Sequence, residues 1–275
     1  MKPKPSFHLL FSYIMVTSIL SFAGCNDLKL NSTWPDREIT VDGTGVDWQN
    51  AMVYVEKANV AVGLFNDEEY IYVCLTPVDR RMAFQMVRLG CTVWFDPEGG
   101  KNKTFGIRFP LGMLEGGNAR MFKEAMRDPT KYQSLLKKVG DELEILGPGK
   151  GQRVRMSVSS TPGIEIKLGH SEGRAVYELK VPLARSAEHP YAIGTDMSKT
   201  IGIGFETPKW DREEMQQSRG GRGRVGRGGG RMGGMDGKNG GRGRSAGMQQ
   251  PSGMPEPLEL WAKVTLASEN PSAQH

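Results

Sequence analysis

The chain has 275 residues, 38% hydrophobic and 24% charged, with a formal net charge of +5, three cysteines and 36 glycines. That length holds one large domain or two small ones, and no stretch beyond the N-terminal segment is apolar enough to cross a bilayer as a helix. Residues 218–245 carry eight positive side chains and one negative, and Lys2 and Lys4 add two more, so the rest of the chain is net −4 and lacks the basic excess of a nucleic-acid surface.

The N-terminus reads as an export signal over residues 1–24. Lys2 and Lys4 precede "LLFSYIMVTSILSF", Leu9 to Phe22, which has the length of a signal-peptide core. Ala23 and Gly24 before Cys25 resemble a bacterial lipobox, although Phe22 stands where leucine is usual. That resemblance implies lipidation at Cys25 and a lipid-anchored protein of the bacterial cell envelope, on the periplasmic or cell-surface face. An ordinary secreted protein cut elsewhere, or an uncleaved anchor, is the alternative. Residues 25–38 read as a polar tether broken by Pro35.

Strand signals then dominate from residue 39 to 267. "TFGIRF" sets Phe105, Ile107 and Phe109 against Thr104, Gly106 and Arg108. "RVRMSV", "GIEIKL", "VYELKV" and "IGIGF" repeat the period of two, and "LELWAKVTL" places Leu258, Leu260, Ala262, Val264 and Leu266 on one face. One apolar face per strand, with Gly, Pro and Asp turns between strands, predicts an all-β, antiparallel β-sandwich with a wet outer side. Cys91 alternates with Val93 and Phe95, whereas Cys74 alternates with Tyr70 and Tyr72. The two thiols are therefore expected on different faces, buried separately rather than bridged.

Two stretches break the pattern. From 111 to 140 the period turns helical, with Met121, Phe122, Ala125 and Met126 on one stripe and Tyr132, Leu135, Leu136 and Val139 on another. Asp128-Pro129 reads as an N-cap followed by proline at the first helical position. From 211 to 256 glycine and arginine dominate, and almost no apolar residue but Met appears. Such a composition cannot offset its ordering entropy, so a disordered loop is expected inside the domain, before its closing strand. Residues 268–275 form a tail.

The motifs "ITVDGTGVDW", "FNDEEYIYVCL", "CTVWFDPEGG", "VYELKVPL" and "LELWAKVTL" follow one another in this order. Together they resemble the family 9 carbohydrate-binding modules and their DOMON-like relatives. The matching residues are Asp42, Gly43, Asp47, Trp48, Asp67, Tyr70, Tyr72, Val73, Asp96, Tyr177, Glu178 and Pro182. The resemblance implies a sandwich that binds a sugar between tryptophan rings, but that paired clamp is not placed on this chain. Trp48 falls in a structural motif. Trp94 and Trp261 fall on polar faces, where a platform would sit, and Trp210 lies at the loop base. These three are the candidate ligand-binding residues. The competing reading is that Trp261 covers a side-chain-free patch at Gly202 and Gly204, if those strands pair.

No catalytic residues, metal or cofactor are expected. Asp96 and Glu98 read as a capped turn rather than a calcium site. His170, His189 and His275 fall in loop or tail contexts, which argues against haem ligation. No triad, nucleophile elbow, P-loop or CxxC pair is present. The expected function is a membrane-anchored, non-catalytic binding protein with a glycan ligand and no specific nucleic-acid partner. The alternative is a structural or interaction lipoprotein whose Gly/Arg-rich loop adheres to anionic polymers.

Overall fold

A computed structural model describes residues 27–113, 119–125, 127–147, 149, 151–209 and 256–268. Cys25, Trp210, the expected signal segment and nearly all of the Gly/Arg-rich stretch lie outside these residues. Among the described residues, no helix is long and apolar enough to cross a membrane.

Twelve strands among the described residues make two facing sheets. The larger has the order β1 (Leu28–Asn31), β12 (Glu259–Thr265), β11 (Thr200–Glu206), β5 (Thr92–Asp96), β6 (Phe105–Arg108), β7 (Glu142–Leu146) and β8 (Arg153–Ser157). The smaller has the order β2 (Met52–Val55), β3 (Val60–Asn66), β4 (Tyr70–Pro77), β10 (Arg174–Pro182) and β9 (Glu165–Ser171). The alternation read from the sequence sets which side chains face inward. Val93, Phe95, Ile203, Phe205, Leu260 and Val264 from one sheet meet Ile71, Val73, Leu75, Tyr177 and Leu179 from the other, all nearly inaccessible. Burying this apolar surface is the main favourable contribution to folding, at roughly 25 cal/mol per Å².

One pairing departs from the antiparallel expectation. Residues 28–31, assigned to the tether, form β1 and pair in parallel with β12. Leu30 is buried, and its neighbours Lys29 and Asn31 are exposed, so this short strand follows the same alternation. The chain then crosses to the smaller sheet, where Thr33 bridges Phe65. Ser32 bonds the buried Asn66, whose Oδ1 also accepts from Ala267 N at 2.8 Å and whose Nδ2 donates to Ala267 O at 3.0 Å. This polar knot ties both ends of the domain to β3.

Three α-helices among the described residues cover one end. α1 (Arg80–Leu89) was not expected. Asp79 caps it by accepting from Arg81 N at 2.8 Å, and Gly90 ends it with φ 92°. Its Met82, Phe84, Met86, Val87 and Leu89 are buried. α2 (Ala119–Ala125) and α3 (Pro129–Leu136) form the expected helical pair, and Asp128 caps α3 through Thr130 N at 2.9 Å. Tyr132 of α3 packs against Phe84 at 4.8 Å between ring centroids and edge-on against His170 at 5.5 Å. His170 therefore lies within β9 and not in a loop, a correction to the sequence reading, because β9 runs on to its hairpin with β10.

A second cluster caps the outer face of the smaller sheet. Trp48 is 1% exposed and lies on Phe65, with ring centroids 5.1 Å apart. The buried Glu178 carboxylate holds this cap. It accepts from Gly43 N at 2.5 Å, Gly45 N at 3.0 Å and Trp48 Nε1 at 3.1 Å. Cys74 sits in this outer cluster and Cys91 in the main core, both as free thiols, as the alternation predicts.

Candidate functional site

The outer face of the larger sheet carries the candidate site. Strand register lines up one row across it: Trp261 of β12 opposite Gly204 of β11, Gly204 opposite Trp94 of β5, and Trp94 opposite Gly106 of β6. Each indole lies over the glycine beside it. A Cβ placed on Gly204 would stand 2.6 Å from the Trp261 ring, and one on Gly106 would stand 2.6 Å from the Trp94 ring. The absence of a side chain is what lets each ring settle onto the backbone. Both tryptophans are half-buried, with one ring face packed and the other turned outward. The rings lean the same way, over β11 and β6, so they stand about two strand spacings apart, roughly 9–10 Å.

Polar side chains fix the ring positions. Trp94 Nε1 donates to Glu206 Oε2 at 2.9 Å. Lys103 Nζ reaches the same oxygen at 2.6 Å and stands 5.5 Å from the Trp94 ring centroid. Trp94 is thus held at its ring edge by a carboxylate and approached by a cation, an arrangement worth up to about 1 kcal/mol at an exposed position. The turn after β5 makes a wall beside the row. Asp96, 1% exposed, accepts from Glu98 N at 3.1 Å and from Asn102 N at 2.8 Å, capping the turn as the motif predicts. The turn folds back over Gly202, where a Cβ would collide with Gly100 O. From it Lys101 reaches Asp27 at 2.6 Å, and Lys29 stands opposite Lys263 in the β1–β12 pair.

Two of the three candidate tryptophans, Trp94 and Trp261, thus share one face and one row; Trp210 lies outside the described residues. The strands of Gly204 and Trp261 do pair, so the competing reading of Trp261 as a glycine cover is geometrically met as well. Covering a glycine with one ring face leaves the second face free. Sequence reasoning missed Glu206 and Lys103 as ring supports, and Lys29 because its strand was taken for tether. The alternation in "DLKLN" was the available signal.

Two concavities lie elsewhere. A cleft of about 290 Å³ beside Trp48 is lined by Thr44, Gln49, Cys74 and Arg174. A groove of about 430 Å³ between α3 and β9 is lined by Leu136, Val139, Ile166 and His170. Burial pushes the Cys91 thiol up to about 12 and raises Cys74 further, with the Glu178 charge adding to the latter, so neither is a nucleophile at neutral pH. Among the described residues, no three His, Cys, Asp or Glu side chains are grouped to hold a metal ion.

The chain matches no protein-family model and no curated protein. Among solved structures it is similar to a family 9 carbohydrate-binding module from Caldicellulosiruptor kristjanssonii in complex with glucose, at 8% identity and a TM-score of 0.32, over 67% of this chain and 80% of that one. It is likewise similar to a module of that family from the same organism in complex with cellotriose, at 8% identity and a TM-score of 0.35, over 90% of this chain and 97% of that one.

Proposed function

We propose that this chain is a lipid-anchored, non-catalytic glycan-binding protein of the bacterial cell envelope, with Trp94 and Trp261 as its stacking residues. The observation that carries the reading is the in-register row Trp261–Gly204–Trp94–Gly106. The C–H face of a pyranose packs flat on an aromatic ring. Two pre-positioned rings with open outer faces offer that surface with little ordering cost on binding. Glu206 and Lys103 supply an acceptor and a donor for sugar hydroxyls at the ring edge.

A glycan array probed with the full chain tests the sugar reading, followed by titration of hits through tryptophan fluorescence. Trp94→Ala and Trp261→Ala should each weaken binding about tenfold, equivalent to ~1.4 kcal/mol. An array without hits retires the reading. The anchor is tested separately: Cys25→Ser should abolish palmitate incorporation and release the protein from the membrane fraction.

A second reading is favoured by the Gly/Arg-rich stretch, which carries eight positive side chains between 218 and 245. As an adhesive for anionic polymers it would act without the tryptophans, and its binding would fall with salt and with deletion of 218–245.

A further inference from the structure

The tryptophan row forms a shelf with an uneven rim. Beyond the aromatic row on the Gly202 side, Lys29 and Lys263 stand directly opposite each other on the outer face of β1 and β12. Both are exposed, and among the described residues neither has an ion-pair partner. Like charges placed opposite in a sheet are destabilising, so this pairing does nothing for the fold. The β5–β6 turn presses it further, since a Cβ on Gly99 would stand 3.6 Å from Lys263 Cε. Lys101 brings a third ammonium to this side, where Asp27 takes it while also feeling the Lys263 charge from further off. On the other side of the row the outer face carries Glu259 and Glu206, the latter engaged by Lys103 and Trp94.

We infer that the shelf takes an acidic glycan, a sugar chain bearing carboxylate or sulfate groups, with one ring stacked on Trp261 and its anionic group held between Lys29 and Lys263. The inference rests on the sugar-binding reading and adds the charge class of the ligand. A neutral sugar gives the lysine pair nothing to neutralise. An anionic substituent one strand step from the stacked ring relieves their repulsion and forms charge-assisted hydrogen bonds, about twice as strong as neutral ones. Glu259 and Glu206 on the opposite side disfavour the reversed placement of the same ligand, which gives the chain a direction.

The test uses the full chain purified in detergent and calorimetric titration with three probes: oligogalacturonate for carboxylate, oligosaccharides of a sulfated galactan for sulfate, and neutral xylo-oligosaccharides. One or both acidic probes should bind at least about tenfold tighter than the neutral one, and the margin should shrink between low and high salt. Which acidic probe is preferred identifies the anionic group. The double variant Lys29→Ala/Lys263→Ala should lose the margin while keeping its neutral-sugar affinity, and Trp261→Ala should lose both. Equal binding of neutral and acidic probes overturns the inference and leaves the sugar reading standing. So does an acidic preference that survives the lysine substitutions, or one that vanishes only when 218–245 is deleted. Binding to none of the three probes overturns the sugar reading and the inference with it.

Discussion

Glu178 and Trp48, 130 positions apart, meet through a 3.1 Å hydrogen bond from the indole N–H to the carboxylate. That contact joins the first and fourth of the ordered sequence motifs, and explains why a glycine-rich turn, a tryptophan and a distant Tyr-Glu pair occur together. Gly43 and Gly45 bring their backbone N–H groups to the same carboxylate. The cap over the smaller sheet is therefore organised around one buried acceptor.

Replacing that acceptor tests its role. Glu178→Ala leaves three buried donors without a partner and should cost about 2–3 kcal/mol in urea unfolding. Burial raises the Glu178 carboxyl above its ordinary value, offset in part by the N–H groups of Gly43 and Gly45. A raised folded-state value means that its contribution is fully present below the ordinary glutamate range and is lost as pH rises through the raised value. The advantage of wild type over Glu178→Gln should therefore shrink as pH increases, measured by urea melts across the acidic range.

The glycine floor of the shelf can be filled. Gly204→Val should displace the Trp261 ring and Gly106→Val the Trp94 ring, each costing about 1–3 kcal/mol of stability. Near-ultraviolet circular dichroism should lose the corresponding tryptophan signal, and glycan affinity should fall as in the alanine variants. Retention of full affinity by both valine variants removes the floor from the mechanism.

The thiols offer a probe of the two layers. Cys74 and Cys91 are buried at 1% and 0% exposure. In native buffer neither should react with a thiol reagent over minutes, and both should react once the domain is unfolded in urea. Fast labelling of Cys74 alone would mean that the Trp48 cap opens without the core, which the Glu178 contacts argue against.

The knot at the chain ends makes a further prediction. Asn66→Ala removes the acceptor for Ser32 and Ala267 and the donor to Ala267 O. It should destabilise by about 1–3 kcal/mol. Truncation to begin at residue 34 should expose the β12 edge and promote association of copies, visible by light scattering.

Much of this fold was legible because a period of two is a strong signal where one face is wet. Leu258 to Leu266 and Tyr177 to Val181 follow it without exception. β1 escaped because its four residues sit among polar neighbours, and nothing local announces a parallel partner more than 200 positions away. α1 escaped although its limits were written in Asp79 and Gly90, since its buried side dominates and Arg80, Arg81, Gln85 and Arg88 mark only a narrow outer stripe. Alternation placed Trp94 and Trp261 on outer faces, but not in one row. That depends on the register of three strand pairs, which is set by the whole sheet. The lysine pair was hidden for the same reason.

Thr207 N donates to Leu258 O at 2.9 Å, and Leu258 N donates to the Thr207 hydroxyl at 2.8 Å. The glycine-arginine stretch thus begins and ends at a single clasp, across 51 positions of sequence. Since closure entropy grows only slowly with length, repeats can be gained or lost there with little effect on the clasp. Replication slippage in that part of the gene would be nearly silent to folding, leaving selection free to set the stretch's length by what it does outside the sandwich.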